Sequence, residues 1–247
     1  MLDFNIINLL LIAISCFFTS ALSGTIGMGG GVLLLAVLTF FFPIQILIPL
    51  HGIIQLVSNT SRVYLLRKHV HKQIFKYFIV GIPFGSILAF IVIKEIQDRS
   101  IWLLIIAALI FYTVFKPKKL PPLKLKIPYF FFLGLVAGTL GPLIGATGPF
   151  LAPFFLRDDL KKENIVATKA ICQAVIHVFK IPVFLFVGVN YADYGVVLII
   201  MCVVTILGTL QGVKILKKIS PKVFTYLFKA ALLIAGLRIL YKVFWLS

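Results

Sequence analysis

The chain has 247 residues, 61% hydrophobic and only 13% charged, with a mean hydropathy of +1.12. Soluble globular domains carry about 25% charged residues, so this composition excludes a soluble fold, and the long apolar runs lack the apolar/polar alternation of a membrane barrel. The formal net charge is +17, from 24 Lys and Arg against 7 Asp and Glu, but these basic residues cluster between apolar runs, as in the cytoplasmic loops of membrane proteins, which sets nucleic acid aside as a partner.

Roughly 20 apolar residues cross a bilayer core as a helix. In chain order the predicted segments are 4–22, 30–42, 44–66, 75–93 and 100–115, then 128–140, 142–156, 165–187, 194–213 and 223–244. The first has no positive n-region and no small-residue cleavage site, and is read as a retained membrane helix. Segments 30–42, 128–140 and 142–156 are short. Segments 44–66 and 165–187 are richer in polar groups than their neighbours: His51, Gln55, Ser58, Asn59 and Arg62 in one, Thr168, Lys169, Gln173, His177 and Lys180 in the other. Cys16, Cys172 and Cys202 lie in separate segments with no CxxC spacing, so neither a disulfide nor a zinc site is indicated.

The expected fold is an all-α polytopic membrane protein of about 8 to 10 transmembrane or half-membrane helices in two inverted repeats. The proposed division is an N-terminal repeat over 1–115, a basic cytoplasmic linker over 116–127 and a C-terminal repeat over 128–247. Ser23-Gly-Thr-Ile-Gly-Met-Gly-Gly-Gly31 is echoed by Ala137-Gly-Thr-Leu-Gly-Pro-Leu-Ile-Gly-Ala-Thr-Gly148. Gly24-Thr25 matches Gly138-Thr139, Gly27 matches Gly141 and Gly31 matches Gly145, an offset of 114 residues. Gln55, Asn59 and Arg62 match Gln173, His177 and Lys180 at an offset of 118, and Gly85 matches Gly208 at 123. Loops 67–76, 116–126 and 214–222 are strongly basic and expected on the cytoplasmic side; turns 94–99 and 188–192 have no positive excess and are expected outside. One alternating path satisfies all five and puts both termini outside, in the plasma or inner membrane.

Five glycines in nine residues do not make a stable helix, because each is less favourable than Ala by about 0.8–1.0 kcal/mol. Broken backbone is therefore expected over 24–31 and 138–148, and irregular backbone survives at membrane depth only where protein or water covers it. The short segments that follow would begin inside the membrane with free N–H groups and positive dipole ends, a ready anion site. Gly24, Thr25, Gly27, Gly29, Gly30, Gly31, Gly138, Thr139, Gly141, Gly145, Thr147 and Gly148 are the candidate backbone and hydroxyl contacts. The alternative for the glycines is close helix packing, of which Gly27 to Gly31 is itself a GxxxG instance.

Gln55 and Asn59, and Gln173 and His177, are i,i+4 pairs on single helix faces and are expected to line the cavity. Lys180 joins them, because its depth in the segment makes snorkelling difficult. Arg62 is placed near the cytoplasmic end, where snorkelling accounts for it; His51 and Lys169 are weaker candidates. No carboxylate lies well inside a segment, so the interior offers cations and amides, which favours a small anionic substrate. If protons are coupled, His177 or His51 is the carrier. No nucleophile-and-base set, paired acids, cofactor motif or metal cluster is present, so neither catalysis, a cofactor nor a bound metal is expected.

On Gly24-Thr-Ile-Gly-Met-Gly-Gly-Gly31, the apolar stretch to Pro43, and Gly138-Thr-Leu-Gly141 followed by Gly145 and Gly148-Pro-Phe-Leu-Ala-Pro153, the chain resembles the TauE/SafE sulfite-exporter (toluene-sulfonate uptake permease) family over nearly its whole length. It departs from the family pattern at Gly145-Ala-Thr-Gly148, where a Gly-Gly pair is common. The resemblance implies a permease for sulfite, thiosulfate or organosulfonates. Export is the expected direction, since an inside-negative potential drives an anion outward by about 2.3 kcal/mol per charge per 100 mV. The alternatives are transport of another small organic anion or a metal, or a non-transport membrane assembly role. The expected partners are the anion and the lipid bilayer, with homo-oligomerisation left open.

Overall fold

The computed structural model describes residues 5–27, 29–95, 104, 107–108, 111–112, 114–115, 125–155, 159–215, 233, 236–237 and 240–241. Among them there are helices and no strands. The linker over 116–124, the basic loop over 216–222 and most of the predicted segments 100–115 and 223–244 lie outside the described residues.

Helix α1 spans Ile6–Ile26, with the Asn5 side chain accepting from Ile7 N–H at 3.1 Å as its N-cap. After the break at 27–29 comes α2, Gly30–Leu38, then α3, Ile44–Leu66, and α4, Lys72–Glu95. The second half runs through a 3-10 turn, Ile127–Tyr129, into α5, Phe130–Ile144; then α6, Gly148–Phe155, α7, Lys162–Phe186, and α8, Gly195–Ile215. Among the described residues five spans are long and apolar enough to cross a membrane: α1, α4, α7, α8 and the stretch Ile127–Ile144. At 9 and 8 residues, α2 and α6 reach only about 12–14 Å at 1.5 Å per residue, roughly half the hydrocarbon core.

Two expectations need adjustment. The breaks are shorter than the sequence suggested: α1 continues through Gly24 and Thr25, and α5 continues through Gly138, Gly141 and Pro142. Tertiary contact overrides the low helix propensity of glycine there. A Cβ on Gly24 would come 2.8 Å from the Thr209 carbonyl oxygen of α8, and one on Gly138 2.6 Å from that of Ile82 on α4. The predicted short segment over 128–140 is also extended, because the helix runs on to Ile144.

The packing repeats. Helix α1 lies along α8, α5 lies along α4, and α3 crosses α7 at the centre. Each outer pair is a close backbone approach made possible by glycine. Gly208 abuts the Phe17 carbonyl of α1 and Gly212 that of Ala21; Gly85 abuts the Leu135 carbonyl of α5 and Gly81 that of Phe131. Phe17 and Leu135 stand 118 residues apart and Gly85 and Gly208 stand 123 apart, the same offsets at which the polar faces and these glycines match in the sequence. The half-length helices fill equivalent places. Val32, Leu34, Leu35 and Leu38 of α2 pack on Leu47, Leu50 and Ile54 of α3, while Leu151 and Phe155 of α6 pack among Phe78, Phe130 and Ile176. Phe155 meets Phe130 edge-on with centroids 5.4 Å apart. The outer faces of α1, α4 and α8 leave apolar side chains exposed at helical spacing, such as Val80, Phe84, Ile87 and Ile91, which is the surface that lipid covers.

Candidate binding site between two helix breaks

The two breaks face one another across a small cavity, about 20 Å³, room for little more than a water. The chain leaves α1 through Gly27, whose N–H donates to the Ser23 carbonyl at 2.9 Å with φ 76°, and leaves α5 through Gly145, whose N–H donates to the Gly141 carbonyl at 3.0 Å with φ 79°. A left-handed φ is strained for residues with a Cβ, so both positions call for glycine. Gly27 and Gly145 stand 118 residues apart, the offset at which Gln55, Asn59 and Arg62 match Gln173, His177 and Lys180 in the sequence. At the offset of 114 the paired residues differ in φ: Gly27 and Gly145 are at positive φ, whereas Gly141 and Gly31 are not.

Of the predicted contacts, Gly27, Gly29, Gly31, Gln55, Asn59, Thr147, Gly148, Gln173 and His177 line the cavity. The rest stand elsewhere. Gly24 and Gly138 are in the helix contacts described above. Gly30 lies on α1, where a Cβ would fall 1.9 Å from the Thr19 carbonyl oxygen, and Gly141 sits against Ile176. Thr25 turns its hydroxyl back to the Ala21 carbonyl (2.8 Å) and across to that of Gly212 (3.0 Å); Thr139 bonds the Leu135 carbonyl at 3.0 Å. Gly145 faces Leu35 and Ile48. Lys180 is buried just beyond the cavity, its Nζ donating to the Gly145 carbonyl.

Three further polar residues line the cavity: Arg62, His51 and Ser23. Arg62 is 2% exposed, so it does not snorkel. Its Nη1 donates to Asn59 Oδ1 at 3.2 Å and its Nη2 to Ser58 Oγ at 3.4 Å, while Nε has no partner. Asn59 is itself held by a bond from its Nδ2 to the Gln55 carbonyl at 2.8 Å. The signal for Arg62 was in the sequence: it follows Asn59 by three and Gln55 by seven, the same helix face. His51, four residues before Gln55, continues that face. Its Nε2 lies 2.8 Å from the Gly31 carbonyl; because that oxygen can only accept, Nε2 carries the hydrogen.

The ring of His51 meets that of His177 at 6.1 Å between centroids. Nδ1 of each is buried without a hydrogen-bond partner, as is the Thr147 hydroxyl. Thr147 precedes the first turn of α6, accepting Leu151 N–H on its carbonyl at 3.0 Å, so its hydroxyl is placed at a helix start but left over for something else. Gln55 and Gln173 occupy equivalent places: Gln55 Oε1 is 3.1 Å from where a Cβ on Gly31 would be, and Gln173 Nε2 is 3.5 Å from one on Gly148.

The site therefore combines the N-terminal ends of α2 and α6, with their positive dipole ends, and a buried guanidinium. Lys169 and Lys180 are buried nearby on α7, each 1% exposed. All the described carboxylates, Glu95, Asp159, Glu163 and Asp193, are exposed. No group of three or more His, Cys, Asp and Glu able to hold a metal occurs among the described residues. A buried cation without a carboxylate is costly unless an anion or dipoles offset it.

A family model described as "Sulfite exporter TauE/SafE" matches residues 12–239. No curated protein and no solved structure matches the chain.

Proposed function

Because the chain belongs to the TauE/SafE sulfite-exporter family of membrane transporters, we propose that it carries small sulfur-containing anions, sulfite, thiosulfate or an organosulfonate, through the cavity between the two helix breaks. The observation that carries this reading is the composition of the cavity wall. Arg62, Thr147 and two helix starts converge on it, and no buried carboxylate occurs among the described residues. Such a wall favours negative charge and repels cations. The backbone breaks suit a carrier: half-length helices end near the midplane and present their N–H groups to the substrate, as in transporters built from inverted repeats.

The two repeats lie inverted, with both termini outside and the linker inside, because this path alone puts the basic loops in the cytoplasm. Export is the favoured direction, since the membrane potential drives an anion out without a coupling ion. The test is flux from proteoliposomes loaded with radiolabelled sulfite, thiosulfate or taurine. Efflux of one of these above protein-free vesicles supports the reading. Absence of flux for all three, with folded protein verified, refutes it.

A further inference from the structure

On the far side of Gly145 the protein opens into a crevice of about 780 Å³, at the end of the molecule carrying Lys94 and the 188–194 turn. Crevice and cavity are separated by a thin layer. Along α3, His51 lines the cavity and Ile44 lines the crevice; Ile48 stands between, lining the crevice and facing Gly145. Along α7 the same order holds: His177 lines the cavity, Phe184 lines the crevice, and Lys180 stands between. The chain from Pro142 to Gly148 follows suit, with Pro142 in the crevice wall, Thr147 in the cavity wall and Gly145 at the partition.

Lys180 is therefore at the partition itself. Its stem runs between Gly52 of α3, which a Cβ would bring to 3.3 Å of its Cδ, and Gly141 of α5, 3.6 Å from its Cε on the same reckoning. Its ammonium group holds the Gly145 carbonyl. That carbonyl belongs to the left-handed residue ending α5, which is where this backbone can bend. Lys180 is the repeat equivalent of Arg62, yet the two differ: Arg62 faces the cavity with Nε unpartnered, whereas Lys180 is turned to the partition.

We infer that Lys180 is a second anion-binding position, the transfer point between the closed cavity and the crevice. Arg62 holds the anion in the cavity once its wall has yielded from the water-sized volume to admit it. When the contact of Ile48 with Gly145 opens, the anion takes the place of the Gly145 carbonyl on Lys180, which carries it past the apolar partition. The same exchange frees Gly145 and so lets the partition open. A lysine suits this role because its three donors on a flexible stem can change partner, whereas the guanidinium of Arg62 is a fixed fork. The inference rests on the anion-carrier reading above and adds a position and a gate to it.

The experiment combines equilibrium binding, flux and accessibility on the full chain in proteoliposomes. Radiolabelled sulfite is the probe. Lys180→Met should bind sulfite within about threefold of the unaltered protein, because Arg62 remains, while its efflux rate falls about 10- to 150-fold, the range corresponding to one lost hydrogen bond to a charged group. Lys180→Arg should restore part of the flux. Unaltered flux in Lys180→Met, or binding and flux lost in equal proportion, overturns the inference. Accessibility separates this from failure of the substrate reading. In a background with Cys16, Cys172 and Cys202 replaced, Ile48→Cys is labelled from the crevice side by a membrane-impermeant thiol reagent. Adding Lys180→Met should speed labelling with no anion present, because the latch is gone. With Lys180 intact, saturating sulfite should also speed it, which keeps the test alive should the Met variant not fold. An unchanged labelling rate in folded Lys180→Met, or in unaltered protein that binds sulfite and is saturated with it, overturns the gate. Absence of sulfite and thiosulfate binding in the unaltered protein, with labelling still faster in Lys180→Met, refutes the substrate and leaves the gate standing.

Discussion

Gly27 and Gly145 end α1 and α5 at positive φ, 76° and 79°, 118 positions apart. Each is met by a branched side chain: Val166 Cγ2 would be 2.7 Å from a Cβ on Gly27, and Leu35 Cδ1 2.9 Å and Ile48 Cγ1 3.6 Å from one on Gly145. Both breaks therefore have a positive-φ glycine with an apolar side chain against it.

Alanine at either position should destabilise the fold. The left-handed backbone disfavours a Cβ by about 1–2 kcal/mol, and the close contacts with Val166 and Leu35 add to it. Gly27→Ala and Gly145→Ala should each lower the unfolding midpoint in detergent, Gly27→Ala by at least as much because its contact is tighter.

The outer helix pairs make a second, independent prediction. A Cβ on Gly212 would lie 1.9 Å from the Ala21 carbonyl oxygen, whereas one on Gly195 meets nothing within 4 Å. Gly212→Ala must push α8 off α1 and should sharply reduce the yield of monodisperse protein on size-exclusion chromatography. Gly195→Ala should leave the profile unchanged.

Arg62 is predicted to trade stability for affinity. Removing a buried cation that has only neutral partners lifts a desolvation penalty, so Arg62→Met should unfold no earlier than the unaltered protein in the absence of anion. Its sulfite affinity should fall about 10- to 150-fold, the equivalent of roughly 1.5–3 kcal/mol for a charge-assisted hydrogen bond. Equilibrium binding of radiolabelled sulfite alongside thermal unfolding checks both halves. A loss of stability without loss of affinity would make Arg62 a structural residue.

Much of this architecture could be read from the chain, because bilayer length and helical period are strong constraints. The polar faces of α3 and α7 follow from the spacing of Gln55 and Asn59, and of Gln173 and His177, and those four do converge on one cavity. The glycine motifs were harder. Gly24-Thr25 and Gly138-Thr139 look alike because both pairs sit where a helix lies hard against another and a threonine hydroxyl turns back to the carbonyl four residues earlier. That shared packing role makes the two pairs match at 114, whereas the positive-φ glycines, Gly27 and Gly145, stand 118 apart and are set off by backbone dihedrals that sequence does not display. Arg62 was assigned to the membrane surface by its distance from the basic loop. Its burial depends on the contact of α3 with α7 and α8, where Ser58 reaches Thr209 at 3.3 Å, a tertiary fact whose one local trace is the helix face that Arg62 shares with Gln55 and Asn59.

The most direct test of an anion pathway through the paired breaks is potential-driven efflux of radiolabelled sulfite from proteoliposomes, run beside Gln55→Ala and Gln173→Ala. An inside-negative potential should accelerate efflux, by up to the equivalent of about 2.3 kcal/mol per charge at 100 mV. Both substitutions should slow it to similar extents, because the two glutamines are equivalent members of the repeat. Efflux that ignores the potential, or that both variants sustain at the unaltered rate, would contradict the account.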